Sequence, residues 1–198
     1  APAPTPAPGA TPAPATTAVK PVAPKVMPGP GDEVLEMDRM RKLIADHMVM
    51  SKSTSPHVTS FVEADVTNLV MWRDKVKGAF EKREGEKLTF TPIFIMAIAQ
   101  AIKEMPMINV QVDGYNIIKK KEINIGMAAA LPSGNLIVPV IRRAQALTLK
   151  ETAAQLGELT ERARKNQLKP ADVQGGTFTI SNHGVSGSLV ATPIIINQ

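Results

Sequence analysis

Ten of the chain's 17 prolines fall within its first 31 residues, in runs such as Ala1-Pro2-Ala3-Pro4 and Thr11-Pro12-Ala13-Pro14. Proline fixes φ and removes a backbone donor, so neither a helix nor a sheet ladder can be built through such a stretch. Alanine contributes too little apolar area to collapse it. Residues 1–32 are therefore expected to form an Ala/Pro-rich flexible linker, extended and solvated, with a reach of at most about 100 Å. Any packed core must come from residues 33–198. Only seven of those residues are aromatic (five Phe, one Trp, one Tyr), so Ile, Val, Leu, Met and Ala must fill it.

The pattern after the linker alternates between two periods. Asp38 to Ser51 places Met40, Leu43, Ile44, His47 and Met48 on one helical face. Ser55-Pro56 breaks it. His57 to Val66 then alternates apolar and polar, which predicts a strand, and Thr67 is a possible cap for a helix running to Arg83. In that helix Leu69, Val70, Trp72, Val76 and Phe80 are expected to point inward, and Gly85 to end it. Thr91-Pro92 opens an apolar helix to Glu104 whose composition suits a buried position. Beyond it come predicted strands at 110–112, 117–120, 123–131, 135–141 and 177–181, a helix over 148–165, a short helical turn at 168–172 and a further apolar strand from Ala191. This order predicts an α/β domain with a mixed sheet and helices packed on it. A strand as apolar as Ile194-Ile195-Ile196 wants neighbours on both edges, so the domain is expected to be incomplete at its C-terminus.

Several chemistries are excluded or disfavoured. Without Cys there is no disulfide, no thiolate metal site and no Cys nucleophile. The net charge of +5 is spread among acidic residues rather than clustered, unlike a nucleic-acid surface. Lys119-Lys120-Lys121 is the nearest thing to a basic cluster, read as a solvated turn or a contact for a small anion. No apolar run approaches the ~20 residues of a membrane helix. No phosphate-cradling or dinucleotide glycine pattern and no metal-ligand spacing is present.

Three histidines are the possible general bases. His47 lies on an apolar helical face and His57 at a strand start, and both suit structural roles. His183 sits in Ser181-Asn182-His183-Gly184-Val185-Ser186-Gly187, a polar loop following an apolar strand. Gly184 and Gly187 are expected to permit positive φ and close backbone approach to a ligand. With no acid or thiol beside it, Ser181 reads less as a nucleophile than as a hydrogen-bond donor to developing negative charge.

Five stretches occur together and in order: 40–48 (MRKLIADHM), 55–59 (SPHVT), 65–70 (DVTNLV), 134–141 (GNLIVPVI) and 175–182 (GGTFTISN). By them, the chain from about Val34 onward resembles the catalytic domain of the dihydrolipoyl acyltransferases of 2-oxo acid dehydrogenase complexes. The resemblance implies a fold similar to chloramphenicol acetyltransferase and homotrimers that assemble into a multimeric core. Decarboxylase and dihydrolipoyl dehydrogenase components are the implied partners. It implies acyl transfer from dihydrolipoamide to coenzyme A, the lipoyl group being supplied by a separate domain. Carried over by position, Ser181 stabilises the tetrahedral intermediate, and Arg73, Thr89, Ser181 and Asn182 contact coenzyme A. Leu131 departs from the family, where Asp is common. The family's base lies in a His-Arg-x-x-Asp-Gly motif, which residues 1–198 do not contain, and His183 does not match it. Residues 1–198 alone are thus expected to be inactive, and the family favours a bacterial cytoplasm over a mitochondrial matrix. Two alternatives stand beside this reading: a non-catalytic assembly component of such a complex, and a stand-alone chloramphenicol-type acetyltransferase.

Overall fold

The computed structural model describes residues 26–131, 136–184 and 187–195. By internal contacts the chain divides after Asp38. The prolines up to residue 25 lie outside the described residues. In residues 26–38 the one regular feature is a turn, in which Asp32 Oδ2 accepts the Gly29 N–H at 2.6 Å.

Among the described residues the second unit contains four α-helices and seven short strands: α1 (Arg39–Thr54), α2 (Thr67–Glu84), α3 (Phe90–Glu104), β1 (Val110–Asp113), β2 (Asn116–Lys119), β3 (Ile125–Met127), β4 (Ala129–Ala130), β5 (Leu136–Ile137), β6 (Val140–Ile141), α4 (Leu149–Arg164) and β7 (Phe178–Ile180). β3 is the centre of a three-stranded mixed sheet, antiparallel to β6 and parallel to β7. β1 and β2 form an antiparallel hairpin, and β4 pairs with β5. This is the expected α/β arrangement with a mixed sheet.

The core is aliphatic, as the scarcity of aromatics requires. Ile95, Ala99 and Ile102 of α3 pack with Ile123, Ile125 of β3, Ile141 of β6 and Leu159 of α4. Ile95, Ile125 and Ile141 are fully buried. Burying each such side chain stabilises the fold by about 1.5–3 kcal/mol relative to exposure. α4 is set at its start by a reciprocal cap: the Glu151 N–H donates to Thr148 Oγ1 at 3.3 Å, and the Thr148 N–H to Glu151 Oε2 at 2.8 Å. Gly85, in the left-handed conformation at φ 76°, closes α2 as expected.

Other expectations are corrected. Thr67 does not cap α2. Its N–H donates to Asp65 Oδ1 at 2.8 Å, so the carboxylate two residues upstream satisfies the first helical donor. Residues 57–66 form no strand and belong to no sheet; Val58 is 93% exposed and Val62 91%. An alternating segment becomes a strand only when another edge is present to pair with, and the described residues offer it none. Val70 and Trp72, expected inward, are exposed, and of α2 only Phe80 is buried. The 135–141 segment is split because Pro139 has no N–H to continue the ladder, although its carbonyl still accepts the Met127 N–H at 2.9 Å. Residues 191–195 form no strand, because side chains take both backbone groups of Ile195: its N–H donates to His57 Nε2 at 2.9 Å and its carbonyl accepts from Ser51 Oγ.

Gly126 lies mid-way along β3, and of the described glycines it leaves the least room for a side chain. A Cβ there would lie 2.8 Å from Val138 Cγ1 and 3.3 Å from Thr179 Oγ1. Gly78, inside α2, has nothing within 4 Å of a Cβ. Urea denaturation is expected to show Gly126→Ala destabilised by about 1–3 kcal/mol and Gly78→Ala stabilised by about 0.5–1 kcal/mol. Equal effects from the two would contradict this packing.

Candidate active site

Arg73 and Thr89 form one cluster and Ser181, Asn182 and His183 another, and no hydrogen bond joins one to the other among the described residues. The first lies where α2 passes the start of α3. Arg73 donates from Nε to the Leu88 carbonyl at 2.9 Å and from Nη1 to Asp74 Oδ1 at 2.8 Å, and its guanidinium stands 4.9 Å from the centroid of the Phe90 ring. These contacts hold it over the segment that carries Thr89. Thr89 is exposed at the N-cap position of α3, and its side chain makes no capping hydrogen bond. A guanidinium beside the uncapped start of a 15-residue helix is a setting that favours phosphate. Asp74 also accepts from Lys77 at 2.9 Å, and Lys77 foremost, then Arg73, holds its carboxyl below the usual range.

The second cluster is the loop that leaves β7. β7 runs parallel to β3 with Phe178, Thr179 and Ile180 opposite Ile125, Gly126 and Met127. The last rung, the Ala128 N–H donating to the Ile180 carbonyl at 2.9 Å, ends one residue before Ser181. The Ser181 hydroxyl is therefore exposed at the end of an anchored strand. Its Oγ lies 3.2 Å from His183 Nε2. Asn182 Oδ1 accepts the Gly184 N–H at 3.0 Å, which tightens the turn. Gly187 has φ 76°, as expected, whereas Gly184 is not left-handed: the Asn182 carboxamide turns the chain there, and a Cβ on Gly184 would sit 3.3 Å from it. Val185 and Ser186 lie outside the described residues.

What aims β7 was missed in the sequence. Asn124, nearly buried, donates from Nδ2 to the Gly175 carbonyl at 2.9 Å and accepts at Oδ1 from the Arg143 N–H at 2.9 Å. Its own backbone pairs with Thr177: its N–H donates to Thr177 Oγ1 at 3.1 Å, and its carbonyl accepts the Thr177 N–H at 2.8 Å. Arg142 reinforces the approach by donating from Nη2 to the Ala171 and Gln174 carbonyls at 2.7 and 3.1 Å. Arg162 grips Asp172 with two bonds of 2.8 and 3.2 Å. These pairs are 29 or more residues apart for Asn124–Gly175 and Arg142–Ala171, with no local pattern to announce them.

His47 and His57 fall outside both clusters. His57 accepts at Nε2 from Ile195 and donates from Nδ1 to the Ser55 carbonyl at 2.8 Å, a structural role. Half-buried His47 lines an open cleft of about 660 Å³ with Gln111, Lys120, Lys121 and Thr177. None of Arg73, Thr89, Ser181 or Asn182 lines that cleft. Among the described residues no three His, Cys, Asp or Glu side chains are grouped to hold a metal, and no helix is long and apolar enough to cross a membrane.

The Asp172 carboxyl is held below the usual range chiefly by the Lys169 N–H, then by Arg162. A lowered folded pKa stabilises above the unfolded value, about 3.9, and that contribution is lost as pH falls through the folded value. Asp172→Asn is expected to lower the denaturation midpoint at pH 7, with the gap to the unaltered protein closing below about pH 3. A gap of constant size across that range would contradict the assignment.

Comparison with known proteins bears on the family and the fold. The family model for the 2-oxoacid dehydrogenases acyltransferase catalytic domain matches residues 29–198. The lipoamide acyltransferase component of the branched-chain alpha-keto acid dehydrogenase complex of Bacillus subtilis is 42% identical over 165 residues, covering 83% of this chain and 39% of that protein. The dihydrolipoamide acetyltransferase of Azotobacter vinelandii, whose structure was studied for the roles of a serine, a histidine and an asparagine in catalysis, superposes with a TM-score of 0.80 at 37% identity, over 87% of this chain and 73% of that one. The cubic core of a pyruvate dehydrogenase multienzyme complex gives 0.80 at 36% identity, over 88% and 74%. The chain thus spans about two fifths of the length of the curated relative it matches. It belongs to the acyltransferase catalytic-domain family of the 2-oxoacid dehydrogenases.

Proposed function

We propose that these residues form part of a core subunit that moves an acyl group from dihydrolipoamide to coenzyme A within a 2-oxo acid dehydrogenase complex. The observation that carries the reading is the Ser181 hydroxyl, exposed at the end of an anchored parallel strand in a chain of this family. In the proposed step the coenzyme A thiol loses its proton to a histidine base and attacks the thioester carbonyl. The oxyanion that forms accepts a hydrogen bond from Ser181 Oγ. Collapse expels the dihydrolipoamide sulfur, which regains the proton. A positioned donor of this kind contributes on the order of 3 kcal/mol to the transition state. Residues 1–198 contain no His-Arg-x-x-Asp-Gly sequence, so the base is assigned to polypeptide other than these residues.

Arg73 and Thr89 are proposed to hold phosphate groups of coenzyme A. A guanidinium carries five N–H donors, and the Leu88 carbonyl and Asp74 engage only some of them. Asn182 is proposed to face the coenzyme at the other cluster. The lipoyl group is supplied by a separate domain. A multimeric core is supported by the multienzyme core among the structural relatives; homotrimers within it, joined by decarboxylase and dihydrolipoyl dehydrogenase components, are proposed. The exposed apolar side chains of α1, residues 57–66 and α2 offer the surface such assembly would cover. The bacterial sources of the relatives support a cytoplasmic setting.

In the complete protein, Ser181→Ala is expected to lower kcat about 100-fold or more with little change in KM. Arg73→Ala is expected to raise the KM for coenzyme A about tenfold, the loss of a charge-assisted contact. Steady-state kinetics checks both, and normal kcat in Ser181→Ala would refute the proposal. The polypeptide of residues 1–198 by itself is expected to show no transfer of label from acyl-dihydrolipoamide to coenzyme A.

A further inference from the structure

We infer that His183 is a positioning residue for Ser181: its imidazole holds Ser181 Oγ as an acceptor, so that the single hydroxyl hydrogen is left for the oxyanion. The inference rests on the acyl-transfer reading above. Ser181 and His183 lie two residues apart in the loop that leaves β7, and the turn there brings their side chains together. The Asn182 bond to the Gly184 N–H fixes the turn between them, and the rung from Ala128 to Ile180 anchors the chain just before it. The result is the 3.2 Å approach of His183 Nε2 to Ser181 Oγ, with both side chains exposed and reachable by substrate.

A serine hydroxyl has one hydrogen and can accept from others, whereas a neutral imidazole nitrogen either donates or accepts. If Nε2 were bare, it would take the hydroxyl hydrogen, and Ser181 would have nothing to donate to an intermediate. If Nε2 carries hydrogen, it donates to Oγ. The hydroxyl hydrogen is then free to turn to the oxyanion, and the bond received polarises the hydroxyl and strengthens its own donation. The second arrangement serves the reaction, and the first opposes it. His183 neither takes nor gives a substrate proton in this account, which leaves the general base with its separate histidine.

The test is kinetic, in the complete protein, with dihydrolipoamide and whichever of acetyl-, isobutyryl- and succinyl-coenzyme A it turns over fastest. His183→Ala is expected to lower kcat about three- to tenfold, the range one ordinary hydrogen bond supports, with KM unchanged. His183→Gln, whose carboxamide nitrogen donates from nearly the same reach, is expected to restore most of that loss. In a Ser181→Ala background His183→Ala is expected to have no further effect. An unchanged or increased kcat in His183→Ala, a Gln variant as slow as Ala, or an undiminished effect without the serine hydroxyl would each overturn the inference while leaving the role of Ser181 intact. Should Ser181→Ala itself leave kcat unchanged, or none of the three thioesters turn over, the acyl-transfer reading fails and this inference with it.

Discussion

At Asn124 one nearly buried carboxamide and the backbone that bears it tie together two segments far away in the chain: the turn after β6 and the stretch from Gly175 to Thr177 that leads into β7. The position of Ser181 follows from that joint. β7 is only three residues long and contributes three pairs to β3, too few to set its own register firmly. The bonds between Asn124 and Thr177 set it from the outside, because a slip of one residue would turn every side chain of β7 to the other face of the sheet. Arg143 shows what the joint sustains. It sits in the left-handed region at φ 52°, uncommon for a side chain of its kind, and its N–H is the one that Asn124 Oδ1 accepts. The carboxamide holds the Arg143 turn and the Gly175 carbonyl, while the Asn124 backbone, through Thr177, holds the strand.

What could be read from the sequence was what local chemistry decides. The helices, the aliphatic core around Ile95, Ile125 and Ile141, the mixed sheet and the Gly85 terminus all follow from apolar period, glycine placement and the shortage of aromatics. Motif order identified the family without any geometry. The parts that were not legible depend on partners distant in sequence. Asn124 has no neighbour that marks it, and its bonds reach 19, 51 and 53 residues away. His57 and Ser51 meet Ile195 across 138 and 144 residues. Residues 57–66 carry a sound strand pattern that stays unpaired, since alternation specifies a face and not the edge that will receive it. The contact between Ser181 and His183 depends on the turn that Asn182 makes with the Gly184 N–H, which no apolar period announces.

In the proposed function the two clusters divide the work by the kind of charge each would meet. Around Arg73 and Thr89 the setting is cationic and rigid, with the guanidinium held by a carbonyl, a carboxylate and an aromatic ring; it suits a permanent anion. Around Ser181 the groups are neutral dipoles at the end of a fixed strand, suited to a charge that exists only briefly. Stability is divided as well. α3, α4 and the three-stranded sheet bury their apolar faces within the chain, while α1, residues 57–66 and the β1–β2 hairpin leave Leu43, Val58, Val62 and Ile117 largely exposed.

Native-state amide hydrogen exchange tests the central claim most directly, because the amides of Thr177, Phe178 and Ala128 lie in the bonds said to hold the Ser181 strand. Backbone groups opened only by global unfolding exchange slowest of all. The account predicts that these three amides exchange at the same slow rate as those of α3, with protection ending abruptly at the Ser181 loop. Exchange of all three at loop rates while α3 stays protected would contradict it, since the strand presenting the serine would then be free of its anchor.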